Sequence, residues 1–166
     1  MSDTKTNRFL ALTFARLSQA AKRLKIYSRK AAKDERPEVS HLLRAMSASK
    51  AVQARRLFNS LIGKVDTSEQ YLAAVFEKEV QDILENYAEL IDAAAEERPA
   101  LLHALRQLRA AETRLRSFYS RSNKDVNIAE DAEYFVCRFC GYLSTSSPPE
   151  ICPICGAAQT EFDTIR

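Results

Sequence analysis

All four cysteines of this 166-residue chain lie near its C-terminal end, as two pairs, Cys137/Cys140 and Cys152/Cys155. Two residues between cysteines let a single tight turn aim both thiolates at one ion, and two such turns complete a tetrahedral sulfur cage. Gly141 and Gly156 follow the pairs, where the chain must turn with positive φ and approach closely; the chain has only one other glycine. Pro153 stiffens the second turn. Two disulfides would be the alternative use of four cysteines. Paired Cys-x-x-Cys with turn glycines, after an N-terminus MSDTKTNRF that lacks an apolar signal core, points to metal in a reducing, cytoplasmic setting instead. Four thiolates suit zinc and a single iron alike. Tyr134, Phe135, Phe139, Tyr142 and Phe162 surround the cysteines, and a small two-hairpin module needs aromatics to build its core.

The rest of the chain is a scaffold of different character. Composition, 46% hydrophobic and 28% charged, is that of a packed soluble protein, and no apolar run approaches the roughly 20 residues of a membrane span. A net charge of +3 argues for no partner by itself, but its distribution is uneven. Residues 1–36 hold ten Lys/Arg and three acids, whereas residues 66–97 hold ten acids and Lys78 as their sole base. Two helix faces of opposite sign would attract each other. The basic face has no base-reading motif beside it, so nucleic acid is not expected as a partner.

Residues 7–122 divide into four amphipathic helices. Inward-facing positions recur at steps of three and four, mostly apolar: Leu10, Phe14, Leu17, Ala21, Leu24, Ser28 and Ala31 over 7–33; Val39, Leu43, Met46, Lys50, Gln53, Leu57 and Leu61 over 37–62. Pro37 opens the second helix as a first-turn proline. Gly63 begins a turn, after which Thr67 or Ser68 can cap a third helix over 69–96. Its expected stripe is Leu72, Val75, Glu79, Asp82, Asn86, Leu90 and Ala93. The fourth helix runs from Pro99 to about 121, with Leu101, Leu105, Leu108, Glu112, Leu115 and Tyr119 facing inward. Residues 120–133 lose the periodicity and read as a polar linker. The spacing therefore predicts a mostly α chain: a four-helix bundle over 1–122, a linker over 123–133 and a β-rich four-cysteine module over 134–166. Charges on three of the four inward stripes are unusual, because a buried charge is costly unless paired or bound to metal.

The stretch YFVCRFCGY…PPEICPICGAAQTEF resembles the rubredoxin-type module that closes rubrerythrins, over nearly every residue from Tyr134 to Phe162. The likeness extends along the helices through FARLSQA, SKAVQARRLF, EKEVQDILENY and AAETRLRSFY. It implies a ferritin-like bundle and one iron at Cys137, Cys140, Cys152 and Cys155, passing one electron. It also implies positions for a di-iron centre in the bundle, and these have largely changed. The first-helix glutamate position is Leu17. The second-helix glutamate and histidine positions are Lys50 and Gln53. Glu79 and Asp82 keep the third-helix acids, Glu112 keeps the fourth-helix glutamate, and Leu115 replaces its histidine. The expectation is a bundle without two irons, in which Lys50 pairs with Glu79, Asp82 or Glu112 and at least one carboxyl stays protonated or more water is admitted. A remnant single-metal site on the three carboxylates is the competing possibility. His41 and His103 lie near helix starts and are expected at the surface.

The link between the second and third helices is only about five residues long. It keeps consecutive helices antiparallel or lets each chain donate a hairpin to its partner, as some short rubrerythrins do, so a homodimer, with hairpin exchange, is expected. Function follows in three versions. The first is an electron carrier through a rubredoxin-type iron site, its bundle serving to dimerise and to dock a redox partner. The second is a non-enzymatic binding module stapled by zinc. The third is a peroxide reductase with a reconfigured carboxylate site. No nucleophile triad, phosphate loop or dinucleotide fingerprint is present.

Overall fold

The computed structural model describes residues 4–62, 67–121, 125–126, 129 and 131–165. The expected turn at Gly63 and part of the expected linker lie outside these residues. The chain is mostly helical, and a small antiparallel strand module follows the helices. It divides into two compact units, residues 1–65 and 66–166.

The first unit is a helical hairpin of α1 (Lys5–Lys33) and α2 (Pro37–Ile62). Thr4 caps α1 by accepting the Asn7 N–H at 3.2 Å. Every residue of the expected α1 stripe is buried or half-buried, with Ser28 and Ala31 deepest. Small residues let the two backbones approach: Ser47 Oγ donates to the Ala21 carbonyl at 2.8 Å, and Ala54 is 4% exposed. The α2 stripe differs from expectation. Met46 and Gln53 are exposed, and Ser47 and Ala54 take their inward places. The apolar-for-polar bias of the sequence pattern favours Met over Ser, whereas close helix contact favours the smaller side chain.

The second unit begins with α3 (Ser68–Ala73), capped by Thr67 accepting the Gln70 N–H at 3.3 Å, as anticipated. A six-residue π-helical turn, Ala74–Glu79, joins it to α4 (Val80–Glu97) without a break. The wider π turn advances the buried face, so Leu72, Phe76, Val80 and Leu84 follow one another at steps of four. Val80 and Leu84, not Glu79 and Asp82, are buried, and Val75, Asn86, Leu90 and Ala93 are exposed as well. A 3-10 turn, Pro99–Leu101, leads into α5 (Leu102–Leu115), which packs against α4 and buries Leu105 and Ala111. Leu101, placed on the stripe by its spacing, is exposed at the helix start. Beyond α5, the ring of Tyr119 stacks on Phe76 with centroids 5.1 Å apart, and its hydroxyl donates to Glu77 at 2.9 Å. That contact fastens the end of α5 to the π turn.

The fourth helix stops short of the expected 121: a 3-10 turn, Arg116–Phe118, follows Leu115. Tyr119, expected on the helical stripe, begins strand β1 (Tyr119–Ser120), which pairs antiparallel with β2 (Asp125–Val126) in the stretch expected as linker. The terminal module is a three-stranded antiparallel sheet in which β3 (Tyr134–Cys137) lies between β4 (Leu143–Thr145) and β5 (Phe162–Ile165). Alternation along β3 turns Phe135 and Cys137 inward. Phe135, Phe162 and three of the cysteines form the core, with Tyr142 and Ile154 packed against it. Phe139 does not join it. At 68% exposure it points outward from the turn between its two cysteines, because a Cys-x-x-Cys turn directs its middle residues away from the sulfurs.

Candidate metal centre

Each cysteine pair sits on a turn built by backbone hydrogen bonds. Gly141 N–H donates to the Cys137 carbonyl at 3.0 Å, and Gly156 N–H to the Cys152 carbonyl at 2.9 Å. Cys137 N–H donates to the Tyr142 carbonyl at 3.0 Å, and Cys152 N–H to that of Ala157 at 2.7 Å. The two turns thus repeat one geometry, including φ of +76° at both glycines. A β-carbon added at either glycine would meet no atom within 4 Å, so backbone conformation alone demands glycine there.

The turns converge. All four Sγ atoms lie within 4.8 Å of one another. Cys137 Sγ is 3.6 Å from Cys155 Sγ, and Cys140 Sγ is 3.6 Å from Cys152 Sγ. A disulfide would need about 2.0 Å, whereas a tetrahedron with metal–sulfur bonds of about 2.3 Å has edges of about 3.8 Å. The donor set therefore fits one thiophilic ion, and the four cysteines could bind a metal. Three of them are buried and Cys155 is half-exposed.

Backbone N–H groups surround the sulfurs. Burial works against charge on Cys137, but the N–H groups of Cys140 and Phe139, together with the thiols of Cys155 and Cys140, hold that thiol below the ordinary value. Burial pushes Cys140 up despite an N–H from Tyr142, and pushes Cys155 up despite one from Ala157. A bound cation supplies the positive charge that lets such thiols ionise together. The donors at Phe139, Tyr142 and Ala157 are main-chain groups, so side-chain chemistry gave no sign of them. Their signal was the repeated Cys-Gly step after each pair.

The bundle positions are arranged differently. Leu17 and Leu115 are half-buried. Lys50 is half-buried, with its Nζ 3.5 Å from Gln53 Oε1, while Gln53 donates to Ser49 Oγ at 3.3 Å. Glu79 is exposed, and Asp82 is exposed with its carboxylate 2.8 Å from Lys78 Nζ. Glu112 is half-buried, and burial raises its carboxyl above the ordinary value. Glu79, Asp82 and Glu112 belong to one unit, yet it does not gather them about a common point. Among the described residues, the four cysteines are the one group of three or more Cys, His, Asp or Glu side chains close enough to share an ion. His41 and His103 are exposed.

Comparisons with known proteins agree with this geometry. Residues 135–163 match the model of the rubrerythrin rubredoxin-like domain. Rubrerythrin-2 of Clostridium acetobutylicum is 25% identical over 174 aligned residues, covering 93% of each chain. Two solved structures of nigerythrin, in a mixed-valence and a partially reduced state, share the fold at a TM-score of 0.53. They are 19% and 18% identical, and the match covers 99% of this chain and 91% of theirs. The domain match and the relative make this chain similar to rubrerythrins, and the solved structures show the fold. No helix among the described residues is long and apolar enough to cross a membrane.

Proposed function

We propose that this rubrerythrin-like chain is a one-electron carrier whose working centre is a single iron at Cys137, Cys140, Cys152 and Cys155. The observation that carries the proposal is the convergence of four thiols, within 4.8 Å of one another, on two turns of matching geometry. Iron bound there would supply exchange between ferric and ferrous states, the thiolates favouring the ferric form. The chain's own groups do the rest. Backbone N–H donors from Phe139, Cys140, Tyr142 and Ala157 to sulfur oppose the accumulated negative charge and so raise the potential. The rigid turns keep the four sulfurs in place through a change of charge. Phe139, between Cys137 and Cys140, and Ile151, next to Cys152, are 68% and 66% exposed, and they offer apolar contact to a redox partner beside the ligands.

In this reading the helices form a scaffold, and two chains assemble into a dimer by exchanging hairpins. Support comes from charge and exposure. The first unit holds 15 bases and four acids, the second ten bases and 18 acids. Ile26, Leu42 and Val52 on the first hairpin and Ile83 and Leu90 on the second are each more than 40% exposed, a pattern expected of faces that a second copy covers. Peroxide reduction is not part of the proposal, because Leu17, Lys50, Gln53 and Leu115 cannot replace the carboxylate and imidazole ligands at those positions.

Metal analysis of protein grown in iron-replete medium tests the proposal. One iron per chain with a red colour is expected. One zinc per chain and no colour would replace the electron carrier with a structural staple.

A further inference from the structure

The first hairpin carries a trough whose lining includes none of the cysteines and none of the altered bundle positions. Its floor is made of small side chains, four alanines (Ala21, Ala48, Ala51 and Ala54) with Ser18, Ser28 and Ser47, and the Ser28 and Ser47 hydroxyls donate to the Lys25 and Ala21 carbonyls. The ring pair Phe14–Phe58, 5.2 Å between centroids, lies toward one end. From Phe14 to Arg29 along α1 it extends about 22 Å, at about 1.5 Å per residue. Its volume is about 800 Å³. Helical spacing puts Ala51 and Arg55 on one flank of α2 and Lys50 and Gln53 on the other, so the trough does not coincide with the positions inherited from the di-iron pattern.

The walls are basic on both sides. Lys22, Lys25 and Arg29 stand along α1, and Arg44 and Arg55 along α2, with no acid among the lining residues. All five are exposed. The hairpin's ion pairs are made elsewhere, Lys30 with Asp34 and Arg36 with Glu38, and among its described residues it supplies no carboxylate to these five.

We infer that this trough docks an acidic amphipathic helix of a partner protein, with an apolar stripe on the floor of small residues and carboxylates on both sides of that stripe. Charge distribution selects this occupant. A fatty anion has one charged end, whereas the bases are spread along the full length. Single-stranded nucleic acid would need aromatic platforms repeated along the trough, and the rings occur at only one end. A second copy's α4 offers exposed Ile83 and Leu90, but its acids lie on only one side of that stripe. The other side carries Val80, Leu84 and Ala94, already buried. It would therefore answer one wall and not the other. A helix in a groove, anchored by apolar residues and oriented by rim charges, is a common mode of recognition.

The test uses the full-length protein and a fluorescently labelled 18-residue peptide, with leucines along one helical face and glutamates on both flanks. Binding is read by anisotropy at low salt. The peptide should bind, and a scrambled peptide of equal composition should bind at least roughly tenfold more weakly. Reversing one base on each wall, Lys25→Glu with Arg55→Glu, should weaken binding at least roughly tenfold, as should Ala51→Glu on the floor. Reversing Arg23 and Arg56, exposed bases outside the trough, should change it less than about threefold. Circular dichroism identifies variants that remain folded. Absence of peptide binding, equal binding of the scrambled peptide, or equal loss in both double variants would overturn the inference. So would wall-dependent binding of palmitate or single-stranded RNA in place of the peptide, or a wall reversal that converts the protein to monomer by light scattering. The inference is independent of the metal in the cage.

Discussion

Gly141 and Gly156 show how little freedom the cage leaves at single positions. Both have φ of +76° and neither is crowded, so substitution by alanine strains the backbone alone. Gly141→Ala should cost about 1–2 kcal/mol and speed metal loss to a chelator, without the larger disruption that steric overlap would bring. Cys140 is a buried member of the donor set, so Cys140→Ser should cut metal content well below one ion per chain and abolish any thiolate-to-metal colour. Glu112 makes a different prediction. Its carboxyl is pushed above the ordinary value by burial, so the folded state favours the protonated form. Stability from this group is present at low pH and is lost as pH rises from the ordinary carboxylate value through the raised one. Thermal melts across that window should show Glu112→Gln gaining on the native protein as pH rises. A variant less stable at neutral pH would mean that the carboxylate holds a cation.

At the scale of elements, the interfaces depend on small residues and caps. Ala54 is almost fully buried between α1 and α2, so Ala54→Leu should destabilise the first hairpin by roughly 1–3 kcal/mol through overpacking. Loss of the Thr67 side-chain acceptor in Thr67→Ala should cost about 1 kcal/mol, measured by denaturant unfolding. These elements also show what a sequence can reveal. The bounds of α2, the cap at Thr67, the α1 stripe and the complete cysteine cage were readable, because proline, cap residues, leucine spacing and Cys-x-x-Cys each act locally. The stripe through Glu79 and Asp82 was displaced, because a uniform helical period cannot anticipate the π turn at Ala74–Glu79. Gln53 and Met46 were misplaced on α2 because the close contact at Ser47 and Ala54 depends on the neighbouring helix, which the local pattern does not contain. The β1–β2 pair was missed because two-residue strands carry almost no periodic signal.

The whole molecule joins a basic hairpin, an acidic hairpin and a cage that fits one ion. Light scattering should give a dimer mass over a wide concentration range; a monomer mass independent of concentration would reject assembly through the exposed apolar faces. Electron transfer by the cage is tested most directly by anaerobic titration of iron-replete protein with dithionite, followed by its visible spectrum and by reoxidation. One electron per chain should be taken up, with bleaching and return of the colour, and none by Cys140→Ser. No uptake by the native chain, or uptake of three electrons with three irons bound, would contradict a one-electron centre in the cage.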